Sequence, residues 1–142
     1  MDNQQLLLFV LENKTYGIDV LKIESIERVG DITRIPNAPE GIIGVMNLRG
    51  NILPVLSLRQ KMGLGSIKYD DKMRIIVLDD EINRMGLLVD RVMDVQDVDL
   101  NEIYNIDEAD DLIQGAIKDQ NENLIILLNT ANLLNNSNIK EI

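Results

Sequence analysis

The sequence contains no cysteine, no histidine and no tryptophan, and only four aromatic residues: Phe9, Tyr16, Tyr69 and Tyr104. Without cysteine there is no disulfide, no thiolate zinc or iron–sulfur ligation and no thiol nucleophile. Without histidine the commonest general base and metal ligand are missing, and so is a phospho-accepting histidine. Positive charge is also scarce: 14 Lys and Arg stand against 24 Asp and Glu, a formal net charge of −10. That balance argues against nucleic acid, which needs clustered cations, and against an anionic membrane surface. Four aromatics in an acidic chain do not make a base-stacking groove. No apolar run approaches the roughly 18 residues of a membrane span. Met1-Asp2-Asn3-Gln4-Gln5 lacks the basic start of a secretion signal. The expected location is the cytoplasm.

What the chain does have is aliphatic residues: Ile, Leu and Val supply 50 of its 142 positions. They fall in short runs separated by turn residues. Residues 6–11 and 16–20 flank Glu12-Asn13-Lys14 and predict a hairpin. Residues 42–48 and 52–58 flank Arg49-Gly50-Asn51 and predict a second. Residues 73–78 with 85–89, and 113–117 with 124–128, predict a third and a fourth. Short strands at this spacing indicate an all-β protein of the barrel or sandwich kind. Helical signal is limited to short turns: Ser57 caps 58–62 and Asn129 caps 130–134.

The chain also matches itself. A shift of 69 places Tyr16-Gly17-Ile18 on Met85-Gly86-Leu87, Ile23 on Val92 and Ile26 on Val95. A shift of 71 places Gly44 on Gly115, and a shift of 72 places Ser57 on Asn129. Two unrelated sets of aliphatic strands would match apolar for apolar, but would seldom match both glycines and both caps in order. The expectation is one domain over residues 1–142 made of two similar small barrels. Their approximate bounds are 1–68 and 69–142, with interleaving of the ends left open.

The chemistry-bearing motifs are few. Ser25, Ser57, Ser66 and Ser137 are the only serines. None sits in a Gly-x-Ser-x-Gly elbow, and no histidine is present to activate one. The 24 acidic residues are mostly solvated surface, so no enzyme is expected. Gly63-Leu64-Gly65 follows a short helix instead of opening one, which makes it a cap rather than a phosphate loop. Asp97, Asp99, Asn101, Asn105 and Glu108 match the ligand spacing of a calcium-binding loop, but the turn position that needs glycine holds Glu102. No metal and no cofactor are expected; a calcium-binding barrel is the contrary reading. Asn47-Leu48-Arg49-Gly50 remains, at a hairpin tip where Gly50 meets a tight turn's demand for positive φ. Arg49 there is either a solvated turn residue or a cation held at a fixed place.

These residues resemble the CheW chemotaxis coupling proteins. The resemblance is carried by Tyr16-Gly17-Ile18-Asp19-Val20, by Thr33-Arg34-Ile35-Pro36 with Pro39, by Gly44 to Gly50, and by Ile52-Leu53-Pro54-Val55. It continues in Gly86-Leu87-Leu88-Val89-Asp90, Gly115-Ala116 and Leu124 to Leu128, and covers roughly residues 4–136. Ser57 and Asn129 stand where the family commonly has Asp; both keep a capping oxygen.

The resemblance implies two five-stranded SH3-like barrels with short helical turns, and a scaffold in place of an enzyme. It implies an adaptor that links the regulatory domain of the histidine kinase CheA to the cytoplasmic tips of methyl-accepting chemotaxis receptors, recruited to membrane-associated receptor arrays. A scaffold for a chemosensory kinase outside chemotaxis is the alternative. A stand-alone coupling protein is expected, as opposed to the kinase itself or a CheV-type fusion to a receiver domain. Asn47, Arg49, Gly50, Leu87 and Val89 are expected at the receptor site. Ile23, Ile26, Val29 and Gly44 are expected at the kinase site.

Overall fold

The computed structural model describes residues 3–105 and 111–135. Its elements are β1 (Asn3–Leu11), β2 (Lys14–Asp19), β3 (Ile23–Arg28), β4 (Ile32–Thr33), β5 (Ile42–Leu48), β6 (Asn51–Ser57), α1 (Leu58–Lys61), β7 (Arg74–Asp79), β8 (Arg84–Val89), β9 (Arg91–Asp99), β10 (Ile113–Lys118), β11 (Leu124–Leu128) and α2 (Thr130–Asn135). All four expected hairpins form, as β1–β2, β5–β6, β7–β8 and β10–β11.

The strands make two sheets, in the orders β10-β11-β2-β1-β9 and β3-β7-β8-β6-β5-β4. A boundary at residue 68 does not separate them. The first barrel takes β1 and β2 from the front of the chain and β9 to β11 from its end. The second takes β3 to β6, then β7 and β8. Each repeat gives its opening hairpin to one barrel and its remaining strands to the other. The reason lies in the strands that cross. After β2 the one-turn 3-10 helix Val20–Lys22 carries the chain into the other sheet, and after β8 only Asp90 intervenes before β9.

The repeat reappears in the pairing. The join between repeats is parallel in both barrels: Leu127 pairs with Gly17, and Val55 with Gly86. At Gly17 an added Cβ would lie 3.0 Å from Leu6 and 3.1 Å from Ile125. At Gly86 it would lie 2.6 Å from Ile75 and 3.1 Å from Leu53, the equivalent neighbours. The two glycines are matched because the same pair of side chains fills the space above each. Bulges also match, between Ile42 and Gly44 and between Ile113 and Gly115. Both caps form: Ser57 Oγ accepts the N–H of Gln60 at 3.2 Å, and Asn129 Oδ1 that of Asn132 at 3.1 Å.

Three layers of core explain the unbroken apolar runs. Leu6 and Leu8 point into the first barrel with Ile117, Ile125 and Leu127. Ile75 and Val77 point into the second with Leu53, Val55 and Leu88. Alternate residues of the same strands (Leu7, Phe9, Ile76 and Leu78) meet in a third cluster between the barrels. A strand buried on both faces reads as continuous hydrophobicity, not alternation.

Candidate functional site

The β5–β6 hairpin turns on Arg49 and Gly50, both at positive φ (50° and 86°), as a two-residue turn matching the strands' twist requires. Asn47 Oδ1 accepts the N–H of Gly50 at 2.9 Å, so this side chain shapes the turn. Arg49 is not an isolated cation. Its guanidinium donates to Glu27 Oε2 on β3 at 2.9 Å, with 65% of its own side chain exposed. Arg84 makes a second pair on this barrel, bidentate to Glu24 at 2.6 and 2.9 Å. The Arg84 guanidinium holds the Glu24 carboxyl below the usual carboxylate range, and the same contact raises Arg84.

Three expected contact residues are internal. Leu87 and Val89 are fully buried in the cluster between the barrels and line no groove. β8 is flanked by β7 and β6 and covered on both faces, so its aliphatics have no open side. Gly44 is buried at the β5 bulge with φ 155°, where a Cβ would fall 2.2 Å from Thr33 O. Its glycine serves that close backbone approach.

The β3 residues are different. Ile26 is 44% exposed. Ile23 is half-buried against the central cluster and Val29 against the second barrel's interior. Their equivalents on β9 behave alike: Val92 is half-buried against the central cluster, and Val95 is exposed. Two strands that leave the junction thus each carry an anchored aliphatic followed by an open one. Asp97 and Asp99 lie on β9 itself, and Asp99 Oδ1 accepts the N–H of Asn101. Asp97 and Asp99 thus lie on extended strand and Asn101 in the 3-10 helix Leu100–Glu102; Glu108, the last ligand of that reading, lies outside the described residues. Among the described residues no group of three or more acidic side chains is placed to hold a metal ion.

Sequence reading missed a polar cluster at the junction. Arg59 on α1 pairs with Glu12 of the β1–β2 turn at 2.5 Å and with Asp90, between β8 and β9, at 2.7 Å. Asp90 also accepts the N–H of Glu12 at 3.1 Å and donates its own to Val10 O at 3.2 Å. Arg59 is largely buried, and the Asp90 contact raises its pKa. One guanidinium thereby ties the second barrel's helix to the first barrel's opening hairpin. The only signal in the sequence was a cation just inside a cap, with none at the matching Ala131.

Interleaved SH3-like barrels whose notable polar groups are structural ion pairs, with exposed aliphatics on two matched strands, define a scaffold-type module. The CheW-like domain family matches residues 5–138, and the chain belongs to that family. It is 41% identical to the chemotaxis protein CheW of Klebsiella aerogenes over 100 residues, which span 70% of this chain and 60% of that protein. It is 33% identical to CheW of Bacillus subtilis over 129 residues, 87% of this chain and 83% of that one. The crystal structure of the scaffolding protein TtCheW from Thermoanaerobacter tengcongensis superposes with a TM-score of 0.81 at 29% identity, covering 91% of this chain and 86% of that one. The protein is a coupling adaptor of chemotaxis signal transduction. Among the described residues no helix is long and apolar enough to cross a membrane.

Proposed function

We propose that the chain joins the regulatory domain of the kinase CheA to the cytoplasmic tips of methyl-accepting chemotaxis receptors, in arrays at the membrane. The observation that carries this reading is the exposed Ile26, held on β3 between two anchored aliphatics. An aliphatic that is open to solvent yet fixed in position is what a protein partner with an apolar patch requires. Ile23, Ile26 and Val29 are the proposed kinase contact. Arg49 and Gly50, with Asn47 shaping the turn, are the proposed receptor contact. Leu87 and Val89, being buried, take no part in that contact. Arg49, exposed at the β5–β6 hairpin tip and paired with Glu27, is the charged part of that contact, where a charge fixes register more than affinity.

The test uses two variants. Ile26→Asp is expected to melt like the parent and to lose binding to the purified kinase regulatory domain. Arg49→Ala is expected to melt within a few degrees of the parent and to weaken binding to the receptor signalling tip. Full binding by both variants would contradict the assignment.

A further inference from the structure

The internal repeat places a second copy of the Arg59 cluster's positions on the opposite flank of the junction. Glu12 corresponds to Glu81, Asp90 to Leu21 and Arg59 to Ala131. The backbone keeps the correspondence: Glu12 and Glu81 both sit at hairpin tips with positive φ, 51° and 74°, and Arg59 and Ala131 both lie two residues beyond a helix cap. The chemistry does not keep it. On the first flank an arginine closes on two carboxylates. On the second the arginine is an exposed alanine, one carboxylate is a leucine, and no cation pairs with Glu81 among the described residues.

This open flank holds the two most exposed large aliphatics of the described chain, Leu21 at 87% and Ile82 at 88%. Ile82 stands where the first flank has Asn13. The 3-10 helix that carries Leu21 leads into β3, whose first residue Ile23 pairs with Leu78 near the end of β7. Asn83 Nδ2 reaches Asn135 Oδ1 at the end of α2, at 3.5 Å. Asp19, Asp79 and Asp80 accept the backbone N–H groups of Leu21, Glu81 and Ile82 and so stand beside the patch, with Lys22 near Asp80 and Arg84 near Asp79.

We propose that Leu21, Ile82, Ala131 and Glu81 form a docking surface for a helical segment of a partner protein that presents an arginine beside aliphatic side chains. The occupant's arginine takes the place that Arg59 fills on the first flank, against a carboxylate already set at the hairpin tip. Its aliphatics cover Leu21 and Ile82, which no part of the described chain covers. The acidic rim selects a basic segment over an acidic one. This surface adjoins the start of β3, with Leu21 two residues before Ile23, and Ile82→Ser, which lies outside the proposed kinase contact, tells the two apart.

The experiment is an NMR titration of the full chain with a synthetic amphipathic peptide that carries leucines on one face and arginine one turn away. A control peptide has glutamate in place of arginine. The arginine peptide is expected to shift resonances around Leu21, Glu81, Ile82 and Ala131, and the glutamate peptide to leave them in place. Ile82→Ser, at an exposed turn, is expected to weaken binding about tenfold, the size of losing one aliphatic anchor. Leu21→Asp combined with Ala131→Arg rebuilds the first flank's cluster on the second. It is expected to melt no earlier than the parent and to abolish binding. Should that double variant fail to fold, the Ile82→Ser result decides. Equal binding of both peptides, shifts on another surface, or full binding by Ile82→Ser or by the folded double variant would overturn the proposal. So would concentration-dependent self-association that Ile82→Ser removes, because the occupant would then be a second copy.

Discussion

The two barrels share one strand plan and close differently at corresponding positions. In the second barrel, β3 offers Glu24 and Glu27, β8 offers Arg84, and the hairpin tip offers Arg49; they join as two ion pairs. The positions that match Glu24, Glu27 and Arg84 carry Met93, Gln96 and Thr15 in the first barrel. There a groove of about 450 Å³ lies open, floored by Leu8, Met93, Leu124 and Ile126. One repeat has thus produced a body with two unlike ends, one closed by ion pairs and the other an open groove of apolar floor and polar walls. An adaptor that joins unlike partners needs that difference, since equivalent ends would not tell them apart.

The shared core is where the barrels should behave most alike. Leu87 and Ile18 occupy equivalent places in it, both fully buried. Leu87→Ala and Ile18→Ala should each cost about 2–5 kcal/mol in denaturant unfolding. A mild Leu87→Ala with selective loss of receptor binding would return that residue to a binding groove.

The bulge glycines come next, and should differ. Gly44 has positive φ and an added Cβ there would fall 2.2 Å from Thr33 O, whereas at Gly115 it would fall 2.7 Å from Tyr104 O. Gly44→Ala should destabilise by about 2–4 kcal/mol, and Gly115→Ala by less. Equal losses would mean that the two bulges are strained alike.

The junction is asymmetric, so Arg59→Ala should cost about 1–3 kcal/mol by leaving Asp90 and Glu12 facing each other. Ala131→Ser at the equivalent position should cost almost nothing. The caps should again agree: Ser57→Ala and Asn129→Ala are each expected to lose about 0.5–2 kcal/mol while partner binding survives.

The smallest effect is electrostatic and belongs to one barrel. Arg84 lowers the Glu24 carboxyl in the folded protein. This pair therefore stabilises fully above the unfolded carboxylate range and is lost as pH falls through the lower folded value. The melting temperatures of the parent and Glu24→Gln should converge in acid and separate slightly at neutral pH. A constant difference across the titration would remove the pair from the account.

Local features were legible in the sequence and long-range ones were not. The hairpins and the caps rest on near neighbours and the repeat on direct comparison of the chain with itself, and each appears where the residues indicated. β3 and β9 escaped notice because they are polar edge strands. The exposure of β3 does alternate, but its aliphatics Ile23 and Ile26 are three residues apart and fall on opposite faces, so the sequence shows no period of two. Nothing in a strand's own residues says which sheet it joins, so the exchange of hairpins between barrels was out of reach. Leu87 and Val89 could have been read correctly: an unbroken run from Met85 to Val89 already indicates burial on both faces. Arg49 was singled out, but its partner Glu27 lies 22 residues away, and pairing over that distance has no sequence signature.

The central claim is that one chain holds kinase and receptor at the same time. It is tested most directly by sedimentation of the purified chain with the kinase regulatory domain and a receptor signalling tip. The account predicts a single species containing all three, which Ile26→Asp reduces to chain and receptor alone. Two binary complexes that displace one another would contradict it.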